Sequence, residues 1–209
     1  GTLKFEEILT GMKFYDEVEV PTIKEVEDDE IAFEKWNPVL PEEDATVTEG
    51  MTFEAVFAED KNNNEIPDAN EEKYSVTYEK GLESVTGEVP TDANEYLSGI
   101  TYKVLESKLE NEKTVFIGWS TTNPGKVITT QEAEDALTLV QPGAEVAMGE
   151  ADVTYYAVWA SDENGNSTPD YKDDKFTVEF TVKEEYKDLV EGTLKFEEIL
   201  TGMKFYDEV

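Results

Sequence analysis

The chain has 209 residues, with 17 Lys and Arg against 50 Asp and Glu, and its formal net charge is −33 at pH 7. This balance excludes nucleic acid as a partner, because phosphate binding needs a basic surface, and an anionic membrane would repel the chain. Since His and Cys are both absent, imidazole and thiolate catalysis and zinc sites of the His/Cys type are excluded.

The remaining composition indicates a folded protein that is not an enzyme. Hydrophobic residues make up 38% of the chain and aromatics 11%, which is enough to bury cores. Acidic side chains are so common that no catalytic pair stands out, and no nucleophile–base arrangement is recognisable. No apolar run approaches the ~20 residues that a membrane-spanning helix needs, so we expect no membrane insertion.

The first segment of the chain belongs to a long repeat. Residues 1–18 return without change as residues 192–209, a period of 191 residues. Fold constraints alone would not preserve exposed positions such as Glu6, Glu7 and Lys13. We therefore expect the chain to be part of a longer array of nearly identical units, with neighbouring repeats of the same chain as partners.

Segment 1–58 is predicted to be the later part of a repeat whose first strand is missing. Period-two alternation at Phe53, Ala55 and Phe57 predicts a half-buried strand. Lys4–Leu9 contains helix-forming residues and is predicted to be a short helix or turn.

Segment 59–72 is predicted to be an acidic calcium-binding linker. Oxygen-bearing side chains occupy alternate positions from Asp60 to Glu71, which is the spacing of a twelve-residue calcium loop. The expected ligands are Asp60, Asn62, Asn64, the carbonyl of Ile66, Asp68 and Glu71. The sixth position is usually Gly, because the chain turns sharply there, but Glu65 occupies it here. The alternative interpretation is a solvated polar linker.

Segment 73–160 is predicted to be a complete module. Alternation in Val153–Trp159 predicts a strand, and Gln131–Leu139 is predicted to be a short helix or turn. We expect a small α+β module with a mixed or antiparallel sheet. Three of its segments have counterparts elsewhere in the chain: Lys73–Lys80 with Lys175–Val182, Val115–Ser120 with Ile31–Pro38, and Val153–Trp159 with Met51–Phe57.

Two strands of this module carry a family resemblance. Val115-Phe-Ile-Gly-Trp-Ser120, followed by Val153-Thr-Tyr-Tyr-Ala-Val-Trp-Ala160, resembles the Listeria-Bacteroides repeat family, the internalin-type B repeats of Gram-positive surface proteins. The resemblance covers residues 73–160 well and 19–58 less well, where Glu34-Lys35 replaces the Ile-Gly before Trp36. It implies small β-grasp-like modules in tandem, in a cell-wall-associated stalk or adhesin, with no catalytic residues.

Aromatic residues on alternating strand positions are predicted to form the core rather than a carbohydrate platform. The set comprises Trp36, Trp119, Trp159, Phe33, Phe116 and Tyr155. The better candidates for the surface are Tyr96, Tyr102 and Tyr156.

Segment 161–174 is predicted to be a second calcium-binding linker. Its expected ligands are Asp162, Asn164, Asn166, Thr168, Asp170 and Asp173. Ser167 occupies the sixth position of this loop. The closing residue, Asp173, has a shorter side chain than Glu71 of the first loop. The next residue, Glu72 in the first loop or Asp174 in the second, could supply the closing carboxylate instead. Both loops resemble the aspartate-rich calcium linkers of thrombospondin type-3 and related bacterial repeats, which join extracellular modules.

Segment 175–209 is predicted to begin the next module. Phe176, Val178, Phe180 and Val182 alternate with polar residues, which predicts a strand, and Glu184–Leu189 is predicted to be a short helix or turn. A sheet edge that lacks a strand is a template for strand addition. We therefore expect residues 175–191 to complete residues 1–58, either in the same molecule or by head-to-tail self-association through 175–209.

Together these patterns predict a structural spacer stiffened by Ca²⁺ at its linkers, and the family resemblance implies that it lies on the bacterial cell surface or cell wall. Binding would order segments that are otherwise too polar to pack, and weak calcium sites are useful at the millimolar concentrations outside cells. The alternative is an adhesive module that binds a host protein or glycan directly.

Overall fold

The structure is a computed structural model that describes residues 3–24 and 30–203. Residues 1–2, 25–29 and 204–209, which include parts of the predicted first module and of both copies of the eighteen-residue repeat, lie outside the described residues. The chain divides into two compact units, one of Gly1–Lys73 with Tyr96–Ile100 and the other of Tyr74–Glu95 with Thr101–Val209.

The first unit is built on an antiparallel strand pair and a single helical turn. Helix α1 (Phe14–Glu17) precedes strands β1 (Ile31–Asn37) and β2 (Glu54–Glu59). Phe14 is buried, and its ring packs edge-on against Phe53 at 5.7 Å between centroids. A 3-10 helix follows at Asp68–Asn70. The first linker, 59–72, lies within this unit.

Strand β3 (Lys73–Glu79) begins where the chain passes from the first unit to the second, and the short β4 (Glu95–Leu97) begins where it returns to the first unit. The second unit continues with β5 (Thr101–Lys103), β6 (Thr114–Ser120), helix α2 (Gln131–Asp135), β7 (Glu145–Ala147) and β8 (Val153–Ser161).

Within the second unit, β3, β8 and β6 are neighbours in that order. Strand β3 pairs with β8 in parallel, β6 pairs with β8 antiparallel, and β5 pairs with β7 antiparallel. The fold is β-rich with short helices, as the sequence predicted, and of the two predicted alternatives, mixed or antiparallel, the sheet is mixed.

The core of the second unit contains the aromatic residues of the sheet. Trp119, Tyr155 and Trp159 are buried, as predicted. Both indole N–H groups find acceptors, since Trp119 donates to the Leu105 carbonyl at 2.9 Å and Trp159 to the Lys80 carbonyl at 3.1 Å. Trp36, Phe33 and Phe116 are half-buried.

The expectation that Tyr102 lies on the surface was wrong. Tyr102 is buried, and its hydroxyl shares a 2.9 Å hydrogen bond with the hydroxyl of Tyr155. Its polar sequence neighbours are explained by β5, in which flanking side chains point away from the core while Tyr102 points inward.

The two predicted strand pairs share one register. Phe33 opposes Phe57 and Trp36 opposes Ala55 in the first unit, as Phe116 opposes Trp159 and Trp119 opposes Ala157 in the second. Each pair has a bulge at the same place, between Phe33 and Lys35 and between Phe116 and Gly118. These equivalences follow the internal repeat that the sequence indicated.

The tail forms a second antiparallel pair. Strand β9 (Lys175–Glu179) pairs with β10 (Lys195–Leu200), and a 3-10 helix spans Glu184–Leu189 between them. In this structure the partner of β9 is therefore β10, within the same predicted module.

The helix or turn predicted for Lys4–Leu9 was wrong. The residues Lys4–Leu9 form neither helix nor strand, whereas the identical residues in β10 form a strand. Glu7 and Glu198 have φ of 63° and 62°, in the left-handed region that breaks a helix. Helix propensity is a weak prior, and six residues cannot offset the cost of nucleation.

Candidate metal centre

The first linker is a loop held at both ends by the chain around it. It begins at Asp60, directly after β2, and runs to Glu71, just before β3. The Asp60 N–H donates to the Glu30 carbonyl at 2.8 Å, and the Asn70 N–H donates to the Pro67 carbonyl at 2.8 Å within the 3-10 helix. The loop therefore has a fixed entry and a helical turn at its exit.

Asp60 is the residue around which the loop folds. It is 2% exposed, and its two carboxylate oxygens accept hydrogen bonds from the backbone N–H groups of Asn64 at 3.1 Å and Glu65 at 2.8 Å. Asp commonly folds the following backbone over its own side chain in this way. The arrangement brings the later oxygen-bearing residues back towards Asp60.

The sixth position of the loop adopts the left-handed conformation even without glycine. Glu65 has φ of 69°, and Ser167 at the same position of the second loop has φ of 67°. A non-glycine residue there costs about 1–2 kcal/mol. The left-handed turn expected at this position is thus present in both copies, at the expense of local strain.

Three acidic side chains of the first loop converge. Asp60, Asp68 and Glu71 each offer a carboxylate oxygen, and these oxygens lie within 4.8 Å of one another. Asp68 is oriented by the Lys61 N–H, which donates to its Oδ1 at 2.8 Å. Among the described residues, this is the one group of three acidic side chains that comes so close.

Asn62 and Asn64 complete the cluster. Their amide groups donate to Glu71 Oε1 at 3.0 Å and 2.6 Å. Asn62 Oδ1 and Glu71 Oε2 are buried and have no hydrogen-bond donor. A buried acceptor without a donor is costly, by about 1–3 kcal/mol. A hard cation is the partner that would satisfy both oxygens, so this residue set fits Ca²⁺.

Ile66, predicted to contribute its carbonyl, lies on the turn that Asn64 organises. Its N–H donates to Asn64 Oδ1 at 2.9 Å, and its side chain is exposed. Thr168 has the same place in the second loop, where its N–H donates to Asn166 Oδ1 at 2.7 Å.

The second loop repeats most of the hydrogen bonds of the first, although Asn164 Oδ1 accepts from the Asn166 N–H at 3.1 Å whereas Asn62 Oδ1 has no donor. Buried Asp162 accepts from the N–H groups of Asn166 at 3.0 Å and Ser167 at 2.9 Å. Asn164 and Asn166 donate through their amides to the carboxylate of Asp173 at 2.7–3.1 Å. The predicted equivalence of the two loops therefore extends from residue types to their hydrogen bonds.

The second loop does not gather its acids as tightly. Asp162, Asp170 and Asp173 do not form a group with oxygens within the 4.8 Å found in the first loop. Asp173 is one methylene shorter than Glu71, and Asp170 accepts hydrogen bonds from the Glu163 N–H at 3.0 Å and from the Ser161 hydroxyl. Of the two loops, the first has the better geometry for a cation.

A cluster of side chains fastens the second loop to α2. Tyr171 donates to Glu134, and the Lys172 ammonium lies 2.8 Å from the same carboxylate. Burial raises the pKa of Glu134, but the hydrogen bonds from Lys172 and Tyr171 outweigh it and leave this pKa below its usual value. The ionised carboxylate therefore holds two residues of the loop.

One feature of the site was missed from the sequence. Asn62 donates to the Ser98 carbonyl at 3.0 Å, and Asn164 donates to the Thr201 carbonyl at 2.7 Å. Ser98 and Thr201 each precede a glycine, at nearly the same distance after their loops. That spacing is the only signal in the sequence that could have identified them.

Comparison with known protein families, curated proteins and solved structures found no match for this chain. Among the described residues, no helix has both the length and the apolar character needed to cross a membrane. Any assignment of function therefore depends on the geometry of the loops and on the repeats.

Proposed function

We propose that this chain is a non-enzymatic spacer of a tandem-repeat protein, in which calcium at the acidic loops stiffens the joints between modules. The observation that carries the proposal is the pair of buried oxygens without donors, Asn62 Oδ1 and Glu71 Oε2, beside the converging acids of the first loop. A structural loop that needed no cation would have little reason to leave both oxygens unsatisfied.

The mechanism is the attachment of each loop to the chain on both sides. In the second loop, the Asp162 N–H donates to the Lys113 carbonyl at 3.0 Å, and Lys113 forms an ion pair with Glu163 at 2.7 Å. Asn164 then reaches Thr201, which follows β10. A cation that fixes Asn164 would couple the sequence before the loop to the sequence after it.

The donor set favours calcium over other metals. Carboxylate, amide and carbonyl oxygens are hard ligands, and Ca²⁺ accepts six to eight of them in irregular geometry, whereas Mg²⁺ requires near-octahedral geometry. Weak loops of this kind bind at about 10⁻⁴–10⁻³ M in extracellular modules. We propose an extracellular location, at a bacterial cell surface or cell wall, for this reason.

The modules themselves are proposed to be β-grasp-like repeats of the Listeria-Bacteroides type arranged in tandem. The parallel pairing of β3 with β8 and the bulged pairing of β6 with β8 support this proposal. The matching bulge in β1 and β2 supports a second module of the same kind in the first unit.

Thermal melting with and without calcium tests the spacer function. At free Ca²⁺ tenfold above Kd, binding to the folded state adds about 1.4 kcal/mol, which raises the melting temperature by about 3–6 °C for a chain of this size. Limited proteolysis of the two loops should slow in parallel, because bound loops open less often.

Two matched variants assign the effect to a loop. Glu71→Gln and Asp173→Asn each neutralise the closing carboxylate of one loop. We expect Glu71→Gln to remove most of the calcium-dependent shift and Asp173→Asn to remove less, because the first loop gathers its acids more closely. The proposal would be refuted if neither the melting temperature nor the cleavage rate of the unsubstituted chain changed with calcium.

A further inference from the structure

The same six residues occur twice in this chain in different surroundings. Lys195–Leu200 forms β10 and pairs with β9, while Lys4–Leu9 forms no strand. Leu3 is 71% exposed against 38% for Leu194, its identical counterpart. Leu9 is exposed, whereas Leu200 is half-buried. The N-terminal copy thus leaves uncovered the apolar residues that β9 partly covers in the other copy.

The uncovered copy shares two left-handed backbone positions with the paired copy. Glu7 and Glu198 share a left-handed φ, at 63° and 62°, and Gly11 and Gly202 have φ of 90° and 84°. In β10 this left-handed residue lies at the bulge, between Phe196 and Ile199. Lys4–Leu9 is therefore arranged to receive a strand with the same bulged register.

A cleft with both apolar and polar walls lies beside this segment. It has a volume of about 1100 Å³, and its walls include Phe5 and Ile8 together with Phe14, Trp36 and Phe53. These walls come from the first unit alone. A strand added along Lys4–Leu9 would place its inward side chains against the cleft.

We propose that Lys4–Leu9 is an acceptor edge for the strand Lys175–Glu179 of a second copy of this chain. The register follows from the pairing of β9 with β10, in which Glu179, Val178, Phe176 and Lys175 face the four residues equivalent to Lys4, Phe5, Ile8 and Leu9. This self-association goes beyond the calcium-dependent spacer function and does not depend on it.

The exchange is favoured because β9 would bury more apolar surface against Lys4–Leu9 than it buries against β10. In the pairing with β10, Phe176 remains 56% exposed and Phe180, just after the strand, 45% exposed. The strand-to-strand bonds would be the same in both pairings, since the two acceptor sequences are identical. Lys4–Leu9 borders the cleft that Phe14 and Phe53 line, so the exchanged pairing would bury apolar surface of β9 that remains exposed among the described residues of the pairing with β10.

Polar groups around the strand match as well. Lys175 forms a 2.8 Å ion pair with Glu198, and Glu7 is the same residue in the acceptor copy. In the second acidic loop, Asn164 donates a hydrogen bond to the Thr201 carbonyl. Thr10 is the counterpart of Thr201 in the acceptor copy, so its carbonyl could accept the same bond after the exchange. Binding of the strand would therefore also place the second acidic loop, which directly precedes it, next to the acceptor copy.

One substitution made in each copy tests the proposal in the full chain. Phe5→Asp puts a charge on the acceptor edge, and Phe196→Asp puts the same charge on the competing edge in the donor's own chain. By sedimentation velocity over a concentration series, we expect Phe5→Asp to weaken self-association at least about tenfold. Phe196→Asp should leave it equal or stronger, because β9 is released.

Several results would overturn the proposal. An unsubstituted chain that stays monomeric up to millimolar concentration would do so, as would equal weakening by both substitutions, which would indicate non-specific apolar contact. All measurements are repeated in chelator. Self-association in chelator, together with a melting temperature that does not change with calcium, would contradict only the spacer function. A melting temperature that rises with calcium in a chain that stays monomeric would contradict only the strand exchange.

Cysteine pairing tests the register and the source of the strand. The chain has no native cysteine, so Lys4→Cys chains mixed with Glu179→Cys chains can form a mixed disulfide only between molecules. A matched control replaces Glu179→Cys by Lys175→Cys, which the register places about 13 Å away along the strand, beyond disulfide reach. We expect the mixed dimer to form much faster with Glu179→Cys.

Equal rates in the two mixtures would overturn the proposed register. In the double variant carrying both Lys4→Cys and Glu179→Cys, the proposal predicts covalent dimers and higher oligomers whose fraction rises with concentration. A closed monomer at every concentration would instead show that the strand comes from the same molecule, and would overturn the assignment to a second copy.

Discussion

Replacing Asp60 by Asn isolates the hydrogen bonds that fold the first loop. The carboxamide keeps one acceptor oxygen and puts an NH₂ group where the second oxygen accepted a backbone N–H. At least one of the Asn64 and Glu65 amides, now 3.1 Å and 2.8 Å from Asp60 oxygens, then loses its acceptor. Because Asp60 is 2% exposed, water cannot easily replace that acceptor.

The expected loss is that of a hydrogen bond to a charged group, about 1.5–3 kcal/mol. Every 1.4 kcal/mol is a factor of about ten, so opening of the loop should increase roughly 10- to 150-fold. Native-state hydrogen exchange measures this opening directly, because the Asn64 or Glu65 amide should then exchange faster. A global melting curve is less informative, because a chain of two units need not unfold in one step.

The second loop provides the matched control. Asp162→Asn should accelerate the Asn166 or Ser167 amide and leave the first loop unchanged, since Asp162 makes the equivalent bonds at 3.0 Å and 2.9 Å. Each substitution should act only on its own loop. If Asp60→Asn left both amides of the first loop protected as before, the loop would be held by other contacts and the reasoning would fail.

Three further predictions concern strain, close packing and pH. Ser167→Gly should stabilise the second loop by up to about 1 kcal/mol in chemical denaturation, because the residue sits at φ 67°. Gly118→Ala should cost about 1–3 kcal/mol in the same assay, since φ is 139° and the added Cβ would lie 2.9 Å from Gln141 Nε2. Hydrogen bonds from the Ser75 N–H and hydroxyl lower the pKa of Asp152. The stability it supplies is therefore present above its unfolded pKa and lost as pH falls through its lowered folded pKa. Asp152→Asn should remove this part of the acid dependence of unfolding.

The sequence by itself determined the features that depend on local spacing. Alternation was sufficient to place β8, and oxygen-bearing residues at alternate positions were sufficient to locate both acidic loops. The loops could be recognised because Asp60 and Asp162 bond to backbone groups only four and five residues away. Turns of that size are encoded within a few residues.

Only the tertiary structure decided which groups meet across long stretches of chain. Ser98 and Thr201 join the loops through carbonyls that every residue possesses, so their side chains give no sign of it. The sharpest case is Lys4–Leu9, whose sequence is identical to that of β10 but which forms no strand. A strand requires a partner for its backbone groups, and that partner is supplied by residues far away in the chain or in another molecule.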